Sequence, residues 1–312
     1  GVPTAIGVDL TPKLTHVAVA DLSGKILDIE SFETSPDERQ MTFRIVESVR
    51  RLKSGYPNSA LGLGISLPGI TDAALGVARY IPYFKWRDWE IGRIVSNETG
   101  LPTTIDNDAN AIGLAELWLG KERTPKVRNF ITVLVADGIG TGIIFDGQVY
   151  RGEKGAAGEF GHMVVGRKGP TACSCGGFRC WEAYASETAM RARYLDGLNG
   201  QRTNSQGITV EELGNLAKKG DKVAIEAFEK TAEYLGIGIS NLIVGFSPEE
   251  IVVSGDITKY WNLIEDHLYS TVEESIRKKL PRTTIRASSL EGGSTLMGAI
   301  GIVLARKFAS AN

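Results

Sequence analysis

Residues 130–151 read FITVLVADGIGTGIIFDGQVYR, in which two apolar runs are joined by the segment ADGIG and followed by a third, shorter run. Apolar runs rich in β-branched residues and bounded by turn residues predict strands. No sequence identity links this segment to residues 4–32, yet those residues give nearly the same pattern. Their strands are expected at Ala5–Val8, His16–Ala20 and Ile26–Phe32, with a hairpin turn at Asp21–Lys25. Two such meanders predict two α/β domains with a cleft between them.

Outside the meanders, apolar spacing predicts further helices and buried strands. The predicted helices run through Met41, Ile45, Val49 and Leu52, over Asp108–Leu119, over Ala224–Val244, through Trp261, Ile264, Leu268 and Val272, and over Ser294–Phe308; the predicted strands are Leu61–Ser66 and Ile251–Ser254. We expect a small α/β domain of residues 1–118 with 295–312, and a large one of residues 119–294.

Composition bounds the class of protein. The chain has 312 residues, is 42% hydrophobic and carries a formal net charge of −2. This length suits two domains, and no run approaches the roughly 18 to 20 apolar residues of a membrane span. No secretory signal opens the chain, and the charge gives no basic footprint for nucleic acid. The start Gly1-Val2-Pro3, without Met, is typical of a tag-cleavage scar and suggests a piece of a longer protein.

The cysteines carry the strongest chemical signal. Cys173, Cys175 and Cys180 lie within eight residues, and His162 stands eleven residues before the first of them. One imidazole and three thiolates form a four-ligand set that suits tetrahedral Zn²⁺, closed and therefore structural. An odd cysteine count argues against a disulfide scaffold, and a reduced, cytoplasmic chain fits better. The alternative, three buried or redox-sensing cysteines, is weaker because the rest of the chain has none.

A second signal is IDNDANAIGLAE, residues 105–116. Asp106 and Asp108 stand at the expected end of a strand, just before a helix. One Asp or Asn there would simply cap the helix. Four Asp or Asn side chains in five positions exceed what a cap requires, and they can bind sugar hydroxyls. A carboxylate beside a hydroxyl can also accept its proton during phosphoryl transfer.

Two glycine-containing segments complete the set. DGIGTG, residues 137–142, can present several N–H groups to an anion, although taken alone an ordinary hairpin is the better interpretation. In GAAGEFGH, residues 155–162, small residues are expected to direct Glu159 and His162 into the same space. Glu182 follows the cysteines and would add a second carboxylate, unless it lies on a solvated helix face.

These motifs together resemble the ROK family (repressors, open reading frames and sugar kinases). PGITD, NDANAIGLAE, GIGTGIIFDGQVYRGEKGAAGEFGH and CSCGGFRCWE stand in the family's order and at its spacing. The resemblance covers nearly the whole chain and implies an actin-like (ribonuclease H-like) two-domain sugar-kinase fold with an interdomain cleft. It implies sugar contacts by Asn107, Asp108, Glu159, His162 and Glu182.

The resemblance also assigns roles. Asp108 matches the catalytic base of the kinase members, and His162 matches a zinc ligand that lies beside the sugar. Gly138, Gly140, Thr141 and Gly142 match the second phosphate loop. The family usually has glycine before the last cysteine, where this chain has Arg179, so the loop conformation is expected to differ while the metal ligands are unaffected.

The nucleotide contacts depart from the kinase pattern. Kinase members have Asp-x-Gly-Gly-Thr at the first phosphate loop, whereas this chain reads DLTPKLT from Asp9 to Thr15. Pro12 has no N–H to offer a phosphate, although Thr11 or Lys13 could in principle substitute. Downstream, VVSGDIT replaces the usual Gly-Gly, and Asp256 would place a carboxylate near the nucleotide. By resemblance, this asymmetry is that of the repressor branch (xylose or N-acetylglucosamine repressor type), which keeps the sugar pocket and zinc and loses ATP.

Three hypotheses result. The favoured one is a sugar-sensing effector domain that binds a sugar or sugar phosphate and acts on DNA through a domain absent from this chain, as a homodimer or homotetramer. The second is an ATP- and Mg²⁺-dependent sugar kinase, with Asp108 as general base and Asp9 helping to hold the metal. The third is a protein-docking module that binds no sugar, which the polar groups at all five pocket positions disfavour.

Overall fold

The computed structural model describes residues 2–121, 127–198, 207–276 and 280–309. Three short 3₁₀ helices lie at Glu153–Gly155, Phe160–His162 and Asp256–Tyr260. The strands and α-helices of the described residues are, in chain order, β1 (Thr4–Leu10), β2 (Leu14–Asp21), β3 (Ile26–Glu33), α1 (Glu38–Gly55), β4 (Ala60–Leu67), β5 (Ile70–Asp72), β6 (Val77–Ile81), β7 (Trp86–Trp89), α2 (Ile91–Thr99), β8 (Thr103–Asn107), α3 (Asp108–Leu119), β9 (Phe130–Val135), β10 (Ile139–Phe145), β11 (Gln148–Val149), α4 (Glu182–Ala185), α5 (Glu187–Gly197), α6 (Val210–Lys218), α7 (Lys222–Phe246), β12 (Glu250–Ser254), α8 (Trp261–Ser275), β13 (Thr284–Ala287) and α9 (Ser294–Ala309).

Both predicted meanders are confirmed. The first sheet has the order β3-β2-β1-β4-β8, in which β1 pairs antiparallel with β2 and parallel with β4. The second sheet has the order β11-β10-β9-β12-β13, in which β12 runs parallel to β9 and to β13. Each sheet therefore consists of a three-strand meander followed by parallel strands, which places several strand carboxyl ends on one edge of each sheet.

The other predicted elements also form, with boundaries shifted by a few residues. The clearest difference is the segment ADGIG, expected to join two strands. Strand β10 begins within it, at Ile139, so the connection is shorter than predicted. The three-stranded sheet β5-β6-β7 was not predicted. No helix in the described ranges combines the length and apolar character that a bilayer crossing requires.

The chain divides into two compact units. The first contains Gly1–Arg128, Gly142–Ala157 and Ser288–Asn312, and the second contains Asn129–Thr141 and Gly158–Ala287. The expected large domain, residues 119–294, differs from the second unit. It includes residues 119–128, 142–157 and 288–294, which cluster with the first unit instead.

In the first unit, helix α9 packs on strands β1 and β4 of the first sheet. The close approach depends on glycine. A Cβ added at Gly64, in the middle of β4, would lie 2.0 Å from the Ala299 carbonyl oxygen. The backbone of α9 cannot yield as a flexible side chain would, so Gly64 sets the distance between the sheet and this helix.

We therefore expect Gly64→Ala to destabilise the protein by about 2–3 kcal/mol, because overpacking displaces backbone. This loss corresponds to a fall in melting temperature of roughly 5–10 °C, measurable by circular dichroism. Gly55→Ala is the matched control, because a Cβ at Gly55, the last residue of α1, meets nothing within 4 Å. Equal melting temperatures for the two variants would contradict the conclusion that Gly64 sets the distance between the sheet and α9.

In the second unit, helix α7 carries the core. Its residues Phe228, Ala232, Leu235, Ile239 and Leu242 are all buried, as the helical spacing predicted. Trp181 is fully buried against this helix at Gly238, where an added Cβ would lie 1.9 Å from the indole ring. The indole N–H donates to the Tyr234 carbonyl at 2.8 Å. Because Trp181 follows Cys180 directly, this contact anchors one end of the cysteine loop to the core.

Candidate functional site

A group of metal-ligating side chains lies in the second unit. Ligand atoms of His162, Cys173, Cys175 and Cys180 all lie within 4.8 Å of one another. His162 Nδ1 is 3.1 Å from Cys173 Sγ, and Cys175 Sγ is 3.5 Å from Cys180 Sγ. Cys173 and Cys180 are buried, Cys175 is exposed, and none of the three forms a disulfide. The structure thus brings the four predicted ligands together.

The donor set fits zinc. With Zn–S distances of about 2.3 Å, two thiolates of a tetrahedral site lie about 3.8 Å apart, close to the 3.5 Å between Cys175 and Cys180. Three sulfurs and one imidazole nitrogen fill four positions and leave none for a substrate. An ion held in this way would cross-link its loop and would perform no hydrolysis.

Local backbone geometry prepares the loop for this arrangement. The Cys173 N–H donates to the Gly177 carbonyl at 2.7 Å, and the Gly176 N–H donates to the Cys173 carbonyl at 2.9 Å. Gly176 has φ +87°, in the left-handed region that favours glycine. Val164 and Cys180 form an antiparallel bridge, which brings the last cysteine beside the segment that follows His162. Arg179 accepts the Val165 N–H through its carbonyl at 3.0 Å.

Two carboxylates lie beside the cysteine loop, as predicted. Glu159 Oε2 is 3.6 Å from His162 Nε2. If Nδ1 bound a metal, Nε2 would carry the ring proton and face this carboxylate, an arrangement that orients metal-ligating histidines. Loss of solvation raises the pKa of Glu159; the positive charge that His162 can carry opposes this rise, and the negative charge of Glu182 adds to it.

Glu182 is buried, so the alternative of a solvated helix face is wrong. Only 8% of the residue's surface is exposed to solvent. Its Oε1 accepts hydrogen bonds from the backbone N–H and the hydroxyl of Ser174, both at 2.8 Å. Its Oε2 points towards Gly138, where an added Cβ would lie 2.8 Å away. Ser174, between two cysteines, therefore fixes a carboxylate whose second oxygen faces the turn after β9.

In the first unit, Asn107 serves as the N-cap of α3. Its Oδ1 accepts the N–H groups of Ala109 and Asn110, at 2.9 and 3.4 Å, and its amide donates to the Gly69 carbonyl at 3.0 Å. Asp108 begins the helix, and its Oδ1 also accepts the Ala109 N–H, at 2.8 Å. The capping interpretation thus describes Asn107, and Asp108 is held at the helix start.

Asp106 has a structural role that the sequence did not reveal. It is 1% exposed, and its Oδ2 accepts two hydrogen bonds from the Arg151 guanidinium, at 3.0 Å from Nε and 2.6 Å from Nη2. Its Oδ1 accepts the Asn110 amide at 3.0 Å. All four Asp and Asn side chains of this motif therefore form hydrogen bonds inside the first unit.

The turn after β1 is closed on itself. The Thr11 hydroxyl donates to the Leu14 carbonyl at 2.7 Å and accepts the Leu14 N–H at 3.1 Å, while the Thr11 N–H donates to the same carbonyl at 3.0 Å. The N–H and hydroxyl groups of Thr11, which could in principle replace a lost glycine contact, are thus bonded within the turn. Asp9 is buried and accepts the Thr295 hydroxyl at 2.7 Å. Burial raises the pKa of Asp9 to about 7. The hydrogen bond from Thr295 lowers this pKa, and the negative charge of Asp108 raises it.

The second predicted phosphate loop is largely strand. Gly140, Thr141 and Gly142 lie inside β10, and only Asp137 and Gly138 form the turn before it. The Thr141 hydroxyl donates to the Gly158 carbonyl. The Asp137 carboxylate pairs with Arg191 at 2.5 Å. Sequence reasoning missed Arg151, Ser174 and Arg191, because the partners of each are set by contacts distant in the chain or by the loop fold.

Comparison with known proteins bears on both parts of the chain. The sequence matches the ROK family over residues 5–306. Its alignment with the xylose repressor of Caldicellulosiruptor bescii is 29% identical over 316 residues and covers 97% of this chain and 78% of the repressor. Its alignment with the glucokinase of Halalkalibacterium halodurans is also 29% identical, over 267 residues, and covers 81% of this chain and 80% of the glucokinase.

A solved structure agrees with these matches. The ROK family glucokinase from Streptomyces griseus, in complex with glucose and AMPPNP, has a TM-score of 0.85 at 28% identity, covering 97% of this chain and 99% of the glucokinase. The predicted actin-like fold is thereby confirmed. Repressors and glucokinases are similar to this chain at the same level of identity. Because the match to the family spans nearly every residue, the chain belongs to the ROK family.

Proposed function

We propose that this chain is the sugar-sensing part of a ROK transcriptional regulator, with a structural zinc ion on His162 and the three cysteines. A sugar or sugar phosphate would be bound by a set of polar side chains: Asn107, Asp108, Glu159, His162 and Glu182. The observation that carries the proposal is the contrast between the self-closed turn at Thr11 and the assembled cysteine loop with its two carboxylates.

The turn after β1 offers little to a nucleotide. A phosphate loop presents several backbone N–H groups to the anion, but here the N–H groups of Thr11 and Leu14 are bonded within the turn and Pro12 has none. A phosphate would have to break these contacts to use either of these N–H groups. The carboxylates beside the cysteine loop, in contrast, are the acceptors that sugar hydroxyls require.

In this proposal, the sugar would regulate the protein by changing the populations of its conformations. A sugar can shift a conformational equilibrium only by binding one state more tightly than another. DNA reading would be the task of a segment outside these residues, which accords with the 78% of the xylose repressor's length that the match covers. Assembly as a homodimer or homotetramer would relate the DNA-reading elements by symmetry.

The second candidate is an ATP-dependent sugar kinase. It is favoured by the similarity to glucokinases, one of which was solved with AMPPNP, and by the presence of Asp9 and Asp108 in the first unit. In that case Asp108 would accept the proton of the sugar hydroxyl, and Asp9 would help to hold Mg²⁺ with the nucleotide.

A coupled assay of ADP release separates the two. We would supply ATP and Mg²⁺ with D-xylose, D-glucose, N-acetylglucosamine or glucose 6-phosphate, and measure the melting temperature of the same samples. We expect no turnover above background, and a rise in melting temperature of roughly 3 °C or more with one sugar, because a ligand at saturating concentration stabilises the state that it binds. Turnover that disappears in Asp108→Asn would establish the kinase instead.

A further inference from the structure

Three segments of the second unit meet at the carboxyl ends of β9 and β12. Glu187, the first residue of α5, donates its N–H to the Ala136 carbonyl at 2.9 Å. The Ile257 N–H bonds the Glu187 carboxylate. Gly255, with φ +109°, lies so close to β9 that an added Cβ would be 1.8 Å from the Val135 carbonyl oxygen. Ligands of α/β sheets bind at this edge, outside the strand carboxyl ends.

The edge is rich in carboxylates. Asp137 pairs with Arg191, and Asp256 pairs with Lys259 at 2.8 Å. Within the described parts of the chain Glu187 forms no ion pair, although the charge of Arg191 acts on it. It is 7% exposed, and its Oε1 has no hydrogen-bond partner among the described residues. A buried carboxylate oxygen without a partner is unfavourable, which points to a role other than stability.

A second buried oxygen at this edge is unpaired. Ser254, the last residue of β12, is fully buried, and within the described parts of the chain its Oγ has no partner. Ser254 directly precedes Gly255, which contacts β9. Two unsatisfied buried oxygens, Ser254 Oγ and Glu187 Oε1, therefore belong to segments that meet at this edge of the sheet.

We propose that Glu187 determines which ligands this edge accepts, and that it excludes nucleotide phosphates from the carboxyl ends of β9 and β12. This inference rests on the proposed function and gives it a specific cause within the second unit. A phosphate group brought to the turn at Gly138 would meet two carboxylates that are already paired, Asp137 with Arg191 and Asp256 with Lys259, and in addition the carboxylate of Glu187, which has no ion pair among the described residues. Like charges in a partly buried site repel strongly, because little solvent screens them.

The charge on Glu187 depends on pH in the neutral range. Burial raises the pKa of Glu187 to about 7, and the negative charges of Asp256 and Asp137 raise it further. The positive charge of Arg191 and the hydrogen bond from the Ile257 N–H lower this pKa. Below pH 7 the carboxyl group is therefore mostly neutral, and above pH 7 it is mostly ionised. Exclusion of phosphate should grow as the pH rises from 6 to 8.5.

The test is a titration of each protein with a fluorescent ADP analogue at several pH values. For the wild-type chain, we expect the ADP affinity to fall on the order of ten-fold per pH unit above pH 7, since binding must then neutralise Glu187. In Glu187→Gln the affinity should be nearly independent of pH and, at pH 8.5, at least about ten-fold higher than in the wild type. Glu187→Ala should behave in the same way.

Controls make the outcomes distinct. Glu226→Gln removes a charge from an exposed position of α7 and should retain the wild-type profile, and zinc content and melting temperature report whether each variant folds. Equal ADP affinities of wild type and both Glu187 variants at pH 8.5, weak or strong, would overturn the assignment of Glu187. Phosphorylation of a sugar by the wild type would instead overturn the proposed function, in a different assay.

Discussion

Replacement of Cys173 by serine is expected to abolish stoichiometric zinc binding and to lower the melting temperature by roughly 10 °C. Cys173 is 4% exposed, its Sγ lies 3.1 Å from His162 Nδ1, and its backbone closes the turn to Gly177. Serine removes one of four ligands, and a structural zinc contributes its binding free energy directly to the fold around it. A loss of several kcal/mol in the free energy of unfolding of a unit of this size lowers the melting temperature by about this amount.

Metal content by atomic emission and thermal unfolding by circular dichroism measure the two effects. Thr171→Ser is the control, since it makes a small change in the same loop and removes no ligand atom. A chelator should lower the melting temperature of the wild type towards that of Cys173→Ser and leave the variant unchanged. One zinc ion per chain in the variant, with the wild-type melting temperature, would show that Cys173 is not a ligand.

The elements that sequence patterns predicted are those whose signal is local. Helix α3 begins and ends where Asp108 and Leu119 were expected, and α7 buries the residues that the helical spacing selected. An amphipathic helix or an alternating strand needs only its own residues to show its inward face. The two meanders were predictable for the same reason.

The three-stranded sheet β5-β6-β7 shows where local signals fail. Its strands have three, five and four residues, too short for a period to be recognised. Trp86 and Trp89 are buried in it, and the Trp86 indole donates to the Pro36 carbonyl at 2.9 Å. The stabilising contact lies fifty residues away in the chain, and no window of neighbouring residues contains it.

The same limit applies to the site. The grouping of His162 with the three cysteines was predictable, because residue type and spacing alone indicate it. The burial of Glu182 and of Glu187 was not, because it results from segments that approach from elsewhere, including Ser174 and Ile257. The pairing of Asp106 with Arg151 spans forty-five residues, so its structural role could not be separated from sugar binding in the sequence.

Glu182→Gln is expected to weaken sugar binding by about 100-fold while leaving the fold and the zinc in place. Glutamine keeps an oxygen for the two Ser174 hydrogen bonds at 2.8 Å, so the local structure should persist. It removes the negative charge and replaces one carboxylate oxygen with an amide nitrogen, which donates where the carboxylate accepts. Hydrogen bonds to a charged group contribute about 1.5–3 kcal/mol each, which corresponds to roughly 10- to 150-fold in affinity.

Calorimetric titration with the sugar of the panel that most raises the melting temperature measures this effect, with Glu226→Gln as an exposed control that carries the same chemical change. The zinc content must remain one per chain, because a loss of metal would explain weaker binding without any contact between Glu182 and sugar. The distinction matters, since Glu182 is connected to the cysteine loop through Ser174. If Glu182→Gln retained both zinc and wild-type sugar affinity, Glu182 would only support the loop, and the sugar-binding role assigned to this part of the second unit would be wrong.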